Sequence, residues 1–472
     1  MFAGILTACN SDSEFSSATS AYSNCEVSSF QLQRNDDLLY GLDSVYFAID
    51  LVNAEIFNAD SLPVGTNTSK LLIKVGTESA SACNVTFHLS GTDRDTTINL
   101  IDSPNDSINF ADGPVTLEIV SYSGLARRSY NVKVNVHNVA PDTLWWDEDA
   151  IRPLPTTLTS VKAQKSVMFD GEIYCYTTDG NSFALSKISD PFDMISKTAS
   201  VVLPAGADIS TITATTDAIY CLDAGGRLYG STDGETWTDR QTVMTHIYGA
   251  YGSTLLGALE ETDGWKHLTY PATTVTPIPA GCPVKGASAP VEFTSKWNIT
   301  PTAVIFGGVD AQGAISGYAW AYDGTMWSRL SNKPAPVAVS GTTVFPYNTP
   351  KVSLTSWRVT DRSALLALGG LMENGAVNDT VYVSHDFGIT WTKGEATLQL
   401  PTYYPRVYGA DVFVVDRTIH ADATESRSRV IKPVTEWECP YIYVFGGVDK
   451  NGALVSTVRR GVINRFTFKP LY

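Results

Sequence analysis

Two long segments of the C-terminal half, residues 331–362 and 392–440, carry side chains with the chemistry of a ligand-binding surface. These side chains are Trp357, Tyr403, Tyr404 and Arg406. Aromatic rings inside a polar rim suit sugar rings and peptides alike, so the segments predict a glycan or a partner protein as the ligand. The same rings could instead fill the interfaces between structural elements, and the sequence leaves both interpretations open.

No motif in the sequence has the spacing of a catalytic site. A serine hydrolase needs a G-x-S-x-G elbow, and a phosphate-binding loop needs a Gly-rich turn followed by a helix and Lys; neither occurs. A copper site needs converging His and Tyr ligands. The histidines of the C-terminal region lie on separate segments instead: His246, His267, His385 and His420. We therefore expect a protein without catalysis, metal or cofactor.

The overall composition limits the classes of partner that the chain is expected to bind. The formal net charge is −16 and the pI is about 4.8, which argues against binding to nucleic acid or to an anionic membrane surface. A chain of 472 residues predicts two or three domains. No run of 18 apolar residues occurs, so we expect no transmembrane helix. We expect a monomer.

The cysteines give no zinc motif, because C-x-x-C spacing is absent. Cys175 and Cys221 occupy matching apolar segments, where a small buried side chain fits. We predict buried thiols, while a disulfide between these two remains an open alternative.

One turn sequence occurs in three copies. Its repetition indicates repeated structural elements, and these elements must position any functional site. The residues of the turn are Ser384, Asp386, Gly388 and Trp391; Ser231, Asp233, Gly234 and Trp237; and, without the Ser, Asp323, Gly324 and Trp327. Asp and Ser accept backbone N–H groups of the turn, and Gly supplies positive φ. The full copy resembles the Asp-box hairpin of sialidase-type β-propellers. We expect each Trp ring to be buried between neighbouring blades.

A second repeat is an apolar strand that ends in two glycines. The pairs are Gly307 and Gly308, Gly369 and Gly370, and Gly446 and Gly447. The first copy resembles a kelch repeat, whose blades run about 50 residues. Equivalent strands can be placed at Tyr174, Tyr220, Leu256, Phe306, Leu368 and Phe445, with gaps of 46, 36, 50, 62 and 77 residues. We predict a six-bladed propeller over residues 141–472, with five or seven blades as the neighbouring alternatives and insertions in the later blades.

The Asp-box resemblance raises the question of a sialidase. That chemistry implies three Arg residues that clamp the substrate carboxylate and an R-I-P or R-L-P motif before the first blade. The segment Ile151-Arg152-Pro153-Leu154-Pro155 departs from that motif, so we interpret Arg152 as a surface or inter-domain residue. A glycan-active enzyme of the sialidase type, or another propeller hydrolase or lyase, is kept as the alternative function.

Residues 25–140 have a different sequence pattern from the C-terminal region. Period-two alternation at 71–75, 84–89, 115–120 and 130–136, with turn residues between, predicts strands. Their regular spacing resembles an Ig-like or cadherin-like sandwich. We interpret the acidic run Asp147-Glu148-Asp149 as a solvated linker.

The N-terminal residues 1–24 are interpreted as a signal remnant and a tether. Leu6-Thr7-Ala8-Cys9 resembles a bacterial lipobox, which implies a membrane anchor through acylated Cys9. Only eight residues without Lys or Arg precede Cys9, whereas a signal needs a basic start and a longer apolar core, so we expect the true start to lie upstream. Asp12 and Glu14 resemble a surface-export signal, which predicts an exposed outer-membrane lipoprotein of the cell envelope.

The whole arrangement resembles an uncharacterised family of lipoproteins from Bacteroides-type bacteria, in which an N-terminal Ig/cadherin-like domain precedes a kelch/Asp-box β-propeller. The residues that carry the resemblance include 43–50, 56–63, 106–110 and 144–146. We expect a recognition module that binds a glycan or a surface protein. Two ways to close the ring stay open: the segment 157–165 joins the last blade, or the strand at 465–468 closes it alone.

Overall fold

The computed structural model describes residues 24–58, 61–137, 143–295, 298–352, 359–420 and 436–463. Strands dominate these residues, and the helical structure among them is limited to two short 3-10 turns, Leu42–Ser44 and Ala396–Leu398. The chain is therefore an all-β protein, as predicted. It forms an N-terminal domain of eight strands, followed by a β-propeller.

The N-terminal domain consists of two layers. Strand β1 (Val27–Leu32) pairs with β4 (Ile73–Thr77) in a small sheet. The larger sheet has the order β2-β3-β8-β7-β5-β6, formed by β2 (Phe47–Asp50), β3 (Glu55–Asn58), β5 (Ala80–His88), β6 (Asp95–Asn99), β7 (Val115–Ser121) and β8 (Arg127–Lys133). The layers share one apolar core: the rings of Phe30 and Phe47 lie 4.8 Å apart, and the hydroxyl of buried Tyr130 accepts the N–H of Val27 at 3.3 Å.

Six four-stranded sheets form the propeller. Blade 1 consists of β10–β13 (Ala163–Phe169, Glu172–Thr178, Phe183–Asp190, Ile195–Val201). Blade 2 consists of β14–β17 (Ala207–Ala214, Ile219–Asp223, Arg227–Ser231, Thr238–Val243). Blade 3 consists of β18–β21 (His246–Tyr251, Thr254–Glu261, Gly264–Tyr270, Val275–Pro277). Blade 4 consists of β23 (Val291–Ser295), β24 (Asn298–Phe306), β26 (Ala319–Tyr322) and β27 (Trp327–Arg329), beside the short pair β22 (Pro283–Lys285) and β25 (Val309–Asp310).

Blades 5 and 6 complete the ring. Blade 5 consists of β28 (Thr343–Val352), β29 (Val359–Leu368), β30 (Tyr382–Ser384) and β31 (Thr392–Lys393). Blade 6 consists of β32 (Asp411–His420), β33 (Glu436–Phe445), β34 (Thr457–Ile463) and, as its outermost strand, β9 (Leu144–Pro153). The prediction of six blades is confirmed. Each of the six anchor residues chosen from the sequence lies on the second strand of its own blade.

The ring is closed by a strand that precedes both of the expected candidates. Leu144 at the start of β9 pairs with Ile463 at the end of β34. Residues 163–165 belong instead to the innermost strand of blade 1, and residues 465–468 lie outside the described part of the chain. The linker interpretation of the acidic run is also wrong, because Asp147 is a residue of β9 and forms an ion pair with Arg460 of β34.

Strand direction gives the ring two distinct faces. Connections between blades and the turns between second and third strands lie on one face, called here the upper face. Turns between first and second strands, and between third and fourth strands, lie on the opposite lower face. The three Asp turns are therefore on the lower face and the three Gly-Gly turns on the upper face.

Candidate binding surfaces of the propeller

The Asp turns are held by short hydrogen bonds within the turn. In blade 5 the carboxylate of Asp386 accepts the Ser384 hydroxyl at 2.8 Å and the Thr390 N–H at 2.8 Å. In blade 2 Asp233 accepts the Thr236 N–H at 2.7 Å. Hydrogen bonds to the charged form favour it, and the N–H of Thr236 above all holds the pKa of Asp233 well below its usual range.

The same turns pack each blade against the preceding one. The Trp391 ring of blade 5 stacks on Phe306 of blade 4 at 4.6 Å. A Cβ at Gly234 of blade 2 would meet the Tyr176 hydroxyl of blade 1 at 2.7 Å, and that hydroxyl donates to the Gly234 carbonyl at 3.0 Å. The turn residues therefore connect blades.

The turn of blade 4 follows the same plan without a Ser. Asp323 accepts the N–H groups of Thr325 and Met326 at 2.8 and 2.9 Å. A Cβ at Gly324 would lie 3.3 Å from the Tyr251 hydroxyl of blade 3. The Trp327 ring is buried against the same blade, where its Nε1–H donates to His267 Nδ1 at 3.1 Å.

The predicted aromatic face is not a continuous exposed surface. Tyr404 is only 4% exposed, and its ring lies 4.4 Å from Trp146 of β9. Arg406 directs its guanidinium at the carbonyls of Pro401 and Tyr404, both at 3.4 Å. The prediction that Tyr404 presents its ring to a ligand is therefore corrected: the ring fills a blade interface, which was the alternative interpretation.

The remaining members of that set do not rebuild the face. Tyr403 is half-exposed, and its hydroxyl donates to the Trp146 carbonyl at 3.3 Å. Trp357 lies outside the described residues, as does Cys9. Arg152 lies in β9, where Nη1 donates to the carbonyls of Asp149 and Ile151.

The histidines and cysteines stay apart. His246 stacks on Trp265 at 5.8 Å, and burial lowers the pKa of His246. Within the ranges described above, no three His, Cys, Asp or Glu side chains lie close enough to hold a metal ion. No disulfide joins the cysteines in those ranges either, and burial raises the pKa of Cys175 and of Cys221 to about 12.

The upper mouth of the ring is formed by a motif that sequence reasoning missed. The connections that lead into blades 4, 5 and 6 each contain a glycine, at 286, 341 and 409. The N–H of Gly409 donates to the Gly341 carbonyl, and the N–H of Gly341 donates to the Gly286 carbonyl, both at 2.7 Å. The repeated sequence V-x-G, present as V-K-G, V-S-G and V-Y-G at these positions, could have indicated this motif.

Ring closure at this mouth depends on a carboxylate. Asp411 at the start of β32 accepts the Ser166 N–H at 2.6 Å, the Gln164 amide at 3.0 Å and the Lys165 ammonium at 2.5 Å. Because these donors belong to β10, the carboxylate joins blade 6 to blade 1.

The two inner hairpins of blades 5 and 6 are longer than the blades that contain them. Strands β28 and β29 form ten pairs, but β30 covers only residues 365–367 of β29. Strands β32 and β33 also form ten pairs, and β34 covers only residues 441–445 of β33. The uncovered parts are called here ribbon 5 (residues 348–352 and 359–363) and ribbon 6 (residues 416–420 and 436–440). Both extend on the lower face, each for about 17 Å.

These features define a class: a two-domain, all-β protein whose larger domain is a six-bladed propeller, a fold typical of binding modules. The chain belongs to the DUF6242 family. The DUF6242 beta propeller domain matches residues 140–471, and the DUF6242 N-terminal domain, a domain of unknown function, matches residues 21–134. No curated protein matches the chain.

Solved structures match the chain only at low identity. YCF48 bound to D1 peptide is 11% identical, covers 70% of this chain and 98% of its own, and has a TM-score of 0.32. Apo AztD from Citrobacter koseri is 11% identical, covers 82% and 100%, and has a TM-score of 0.30. The WD40 domain of Toxoplasma gondii coronin is 8% identical, covers 71% and 91%, and has a TM-score of 0.30. Likenesses of this size carry no information on function.

Proposed function

We propose that the chain is an envelope-anchored recognition module whose propeller binds a partner protein on its lower face and performs no catalysis. The observation that supports this most strongly is the pair of ribbons. Among the described residues, 359–362 of β29 have strand pairing with β28 alone, and 436–438 of β33 have it with β32 alone.

A strand edge without a neighbour offers its N–H and C=O groups to an added strand. Two such ribbons on adjacent blades make a long, narrow surface, which suits a polypeptide better than a sugar. The burial of Tyr404 removes one ring from the glycan-binding hypothesis. The protein partner is therefore the better-supported of the two ligands predicted from the sequence.

Anchoring is proposed from the sequence, with Cys9 as the acylated residue and residues 10–23 as the tether. The N-terminal domain is proposed to be an Ig-like spacer, supported by its two layers and by the parallel pairing of β3 with β8. In the part of the chain that the structure describes, no helix has the length and apolar character needed to cross a membrane.

The test removes ribbon 5 and keeps its blade. Because Tyr347 pairs with Ala364, residues 348–363 can be replaced by Asn-Gly, which closes a two-residue hairpin. The matched control replaces only residues 353–358 by Asn-Gly, between the paired residues Val352 and Val359, and so keeps the ribbon. Each chain is immobilised and incubated with detergent-solubilised outer-membrane proteins from the producing cells.

We expect one protein to be retained by the unchanged chain and by the control, and lost from the ribbon variant. Equal retention by the ribbon variant would refute the assigned surface. Saturable binding to a glycan array with no protein partner would refute the ligand class. Turnover of a sialoside, uronide or galactoside would refute the non-catalytic assignment.

A further inference from the structure

The direction of the strands shows which end of the N-terminal domain faces the tether. Strand β1 begins at Val27, which pairs with Thr77 at the end of β4. Asn24 lies beside Val27, and its side-chain amide donates to Glu78 at 2.9 Å. Residues 1–23 therefore join the domain at this end, called here the anchor end.

Two further turns lie at the anchor end. The turn 122–126 joins β7 to β8, and Ser121 of that hairpin pairs with Ala80 at the start of β5. The turn 51–54 precedes β3, which runs parallel to β8. Arg128 links the turn 51–54 to the N-terminal start of the domain, because its guanidinium donates to the Leu51 carbonyl and pairs with Glu26.

These two turns carry the most exposed large apolar side chains that the structure describes. Val52 is 92% exposed and Leu125 is 90% exposed, and Tyr122 of the second turn is 63% exposed. Arg127 lies beside them and is also largely exposed. An aliphatic tip bordered by Tyr and Arg has the composition of a segment that enters the headgroup region of a bilayer.

We infer that the anchor end rests on a lipid surface, with Val52 and Leu125 inserted among the headgroups. The inference rests on the anchoring proposed above, since the chain leaves the domain at this end toward Cys9. Fourteen residues lie between Cys9 and Asn24, and an extended chain of that length spans at most about 50 Å, enough for the domain to reach the surface. The apolar turns supply a second contact beside the lipid of Cys9.

The domain also separates the membrane from the propeller. Strand β8 runs away from the anchor end, and the chain leaves the domain beyond it at His137. Strand β8 itself, from Arg127 to Lys133, is about 20 Å long at the usual rise of a strand. The propeller is therefore attached at the end opposite the lipid contact.

The test supplies an artificial anchor so that it does not depend on acylation. The full chain with Cys9→Ser and an N-terminal hexahistidine tag is bound to phosphatidylcholine vesicles that contain a nickel-chelating lipid, and its release is timed after transfer to tag-free competitor vesicles. We expect the Val52→Ser/Leu125→Ser variant to be released about tenfold faster, because burial of both side chains is lost. Val202→Ser, a change at an equally exposed propeller residue, should leave the release rate unchanged.

Equal release rates for the double variant and the parent chain would overturn the lipid contact, provided that thermal melting shows both chains folded. Faster release caused by Val202→Ser as well would also overturn it, because the effect would then not belong to the anchor end. Acylation is tested separately by the mass of the N-terminal peptide from cell-produced chain. An unmodified Cys9 would refute the proposed anchor without deciding the outcome at the vesicle surface.

Discussion

Removal of the Asp411 carboxylate should weaken the propeller more than any exposed ion pair does. The carboxylate is 9% exposed and accepts three donors from blade 1, which include the Ser166 N–H and the Lys165 ammonium. These contacts join the innermost strands of the first and last blades. Strands β32 and β10 are not consecutive in the chain, so this contact, beside the pairing of β34 with β9, holds the last blade against the first.

The magnitude follows from what Asp411→Ala leaves behind. Removing one partner of a buried ion pair costs about 3–5 kcal/mol. Lys165 retains 27% exposure of its side chain, so water partly compensates its charge, and we expect the lower end, about 3 kcal/mol. Asp411→Asn keeps an oxygen for the Ser166 N–H but loses the charge and the acceptor of the Lys165 ammonium, which should cost about 1–2 kcal/mol.

The assay is urea unfolding followed by Trp fluorescence, since the Trp rings at blade interfaces report on the propeller. The matched control is Asp263→Ala, which removes a carboxylate that is 65% exposed and lies 2.8 Å from Lys266. An exposed pair contributes less than about 1 kcal/mol. If the two alanine variants lose the same free energy of unfolding, the ring-closing role assigned to Asp411 is refuted.

Two further predictions concern packing and pH. Gly171 and Gly234 share a φ of +77°, but only Gly234 faces the Tyr176 hydroxyl. Gly234→Ala should therefore lower the free energy of unfolding by about 1–3 kcal/mol more than Gly171→Ala in the same assay. Equal losses for the two variants would contradict the packing argument. Burial lowers the pKa of His267 to about 4, below its unfolded value of about 6.5, so the unfolding free energy should be constant above pH 6.5 and fall between pH 6.5 and 4. His267→Gln should flatten that slope, and an unchanged slope would exclude His267 as its source.

The number of blades could be predicted because the second strand of each blade is buried on both faces. Such strands are near-continuous apolar runs, as in 304–306 and 443–445. Each is followed by a turn that contains Gly-Gly or Asp-Gly, although the gaps between successive strands vary from 36 to 77 residues. The apolar second strand and the turn that follows it therefore identify each blade in the sequence, and six such segments indicate six blades.

Pairing between distant segments could not be predicted in the same way. Strand β9 joins β34 across more than 300 residues, and its acidic run suggests solvent when taken alone. Only 14% of the Asp147 side chain is exposed, and Arg460 lies opposite it, which is a result of topology. Tyr404 was misplaced for the same reason, since its partner Trp146 comes from the closing strand.

The closing strand also determines at which face of the propeller the chain enters from the N-terminal domain. Leu144 pairs with Ile463, the last residue of a strand that runs from the upper to the lower face. The link from the N-terminal domain therefore enters at the lower face, in the same blade as ribbon 6. The surface proposed to bind a partner therefore lies on the same face of the propeller as the point where the chain enters at Leu144, and not at the upper mouth with its Gly-Gly turns.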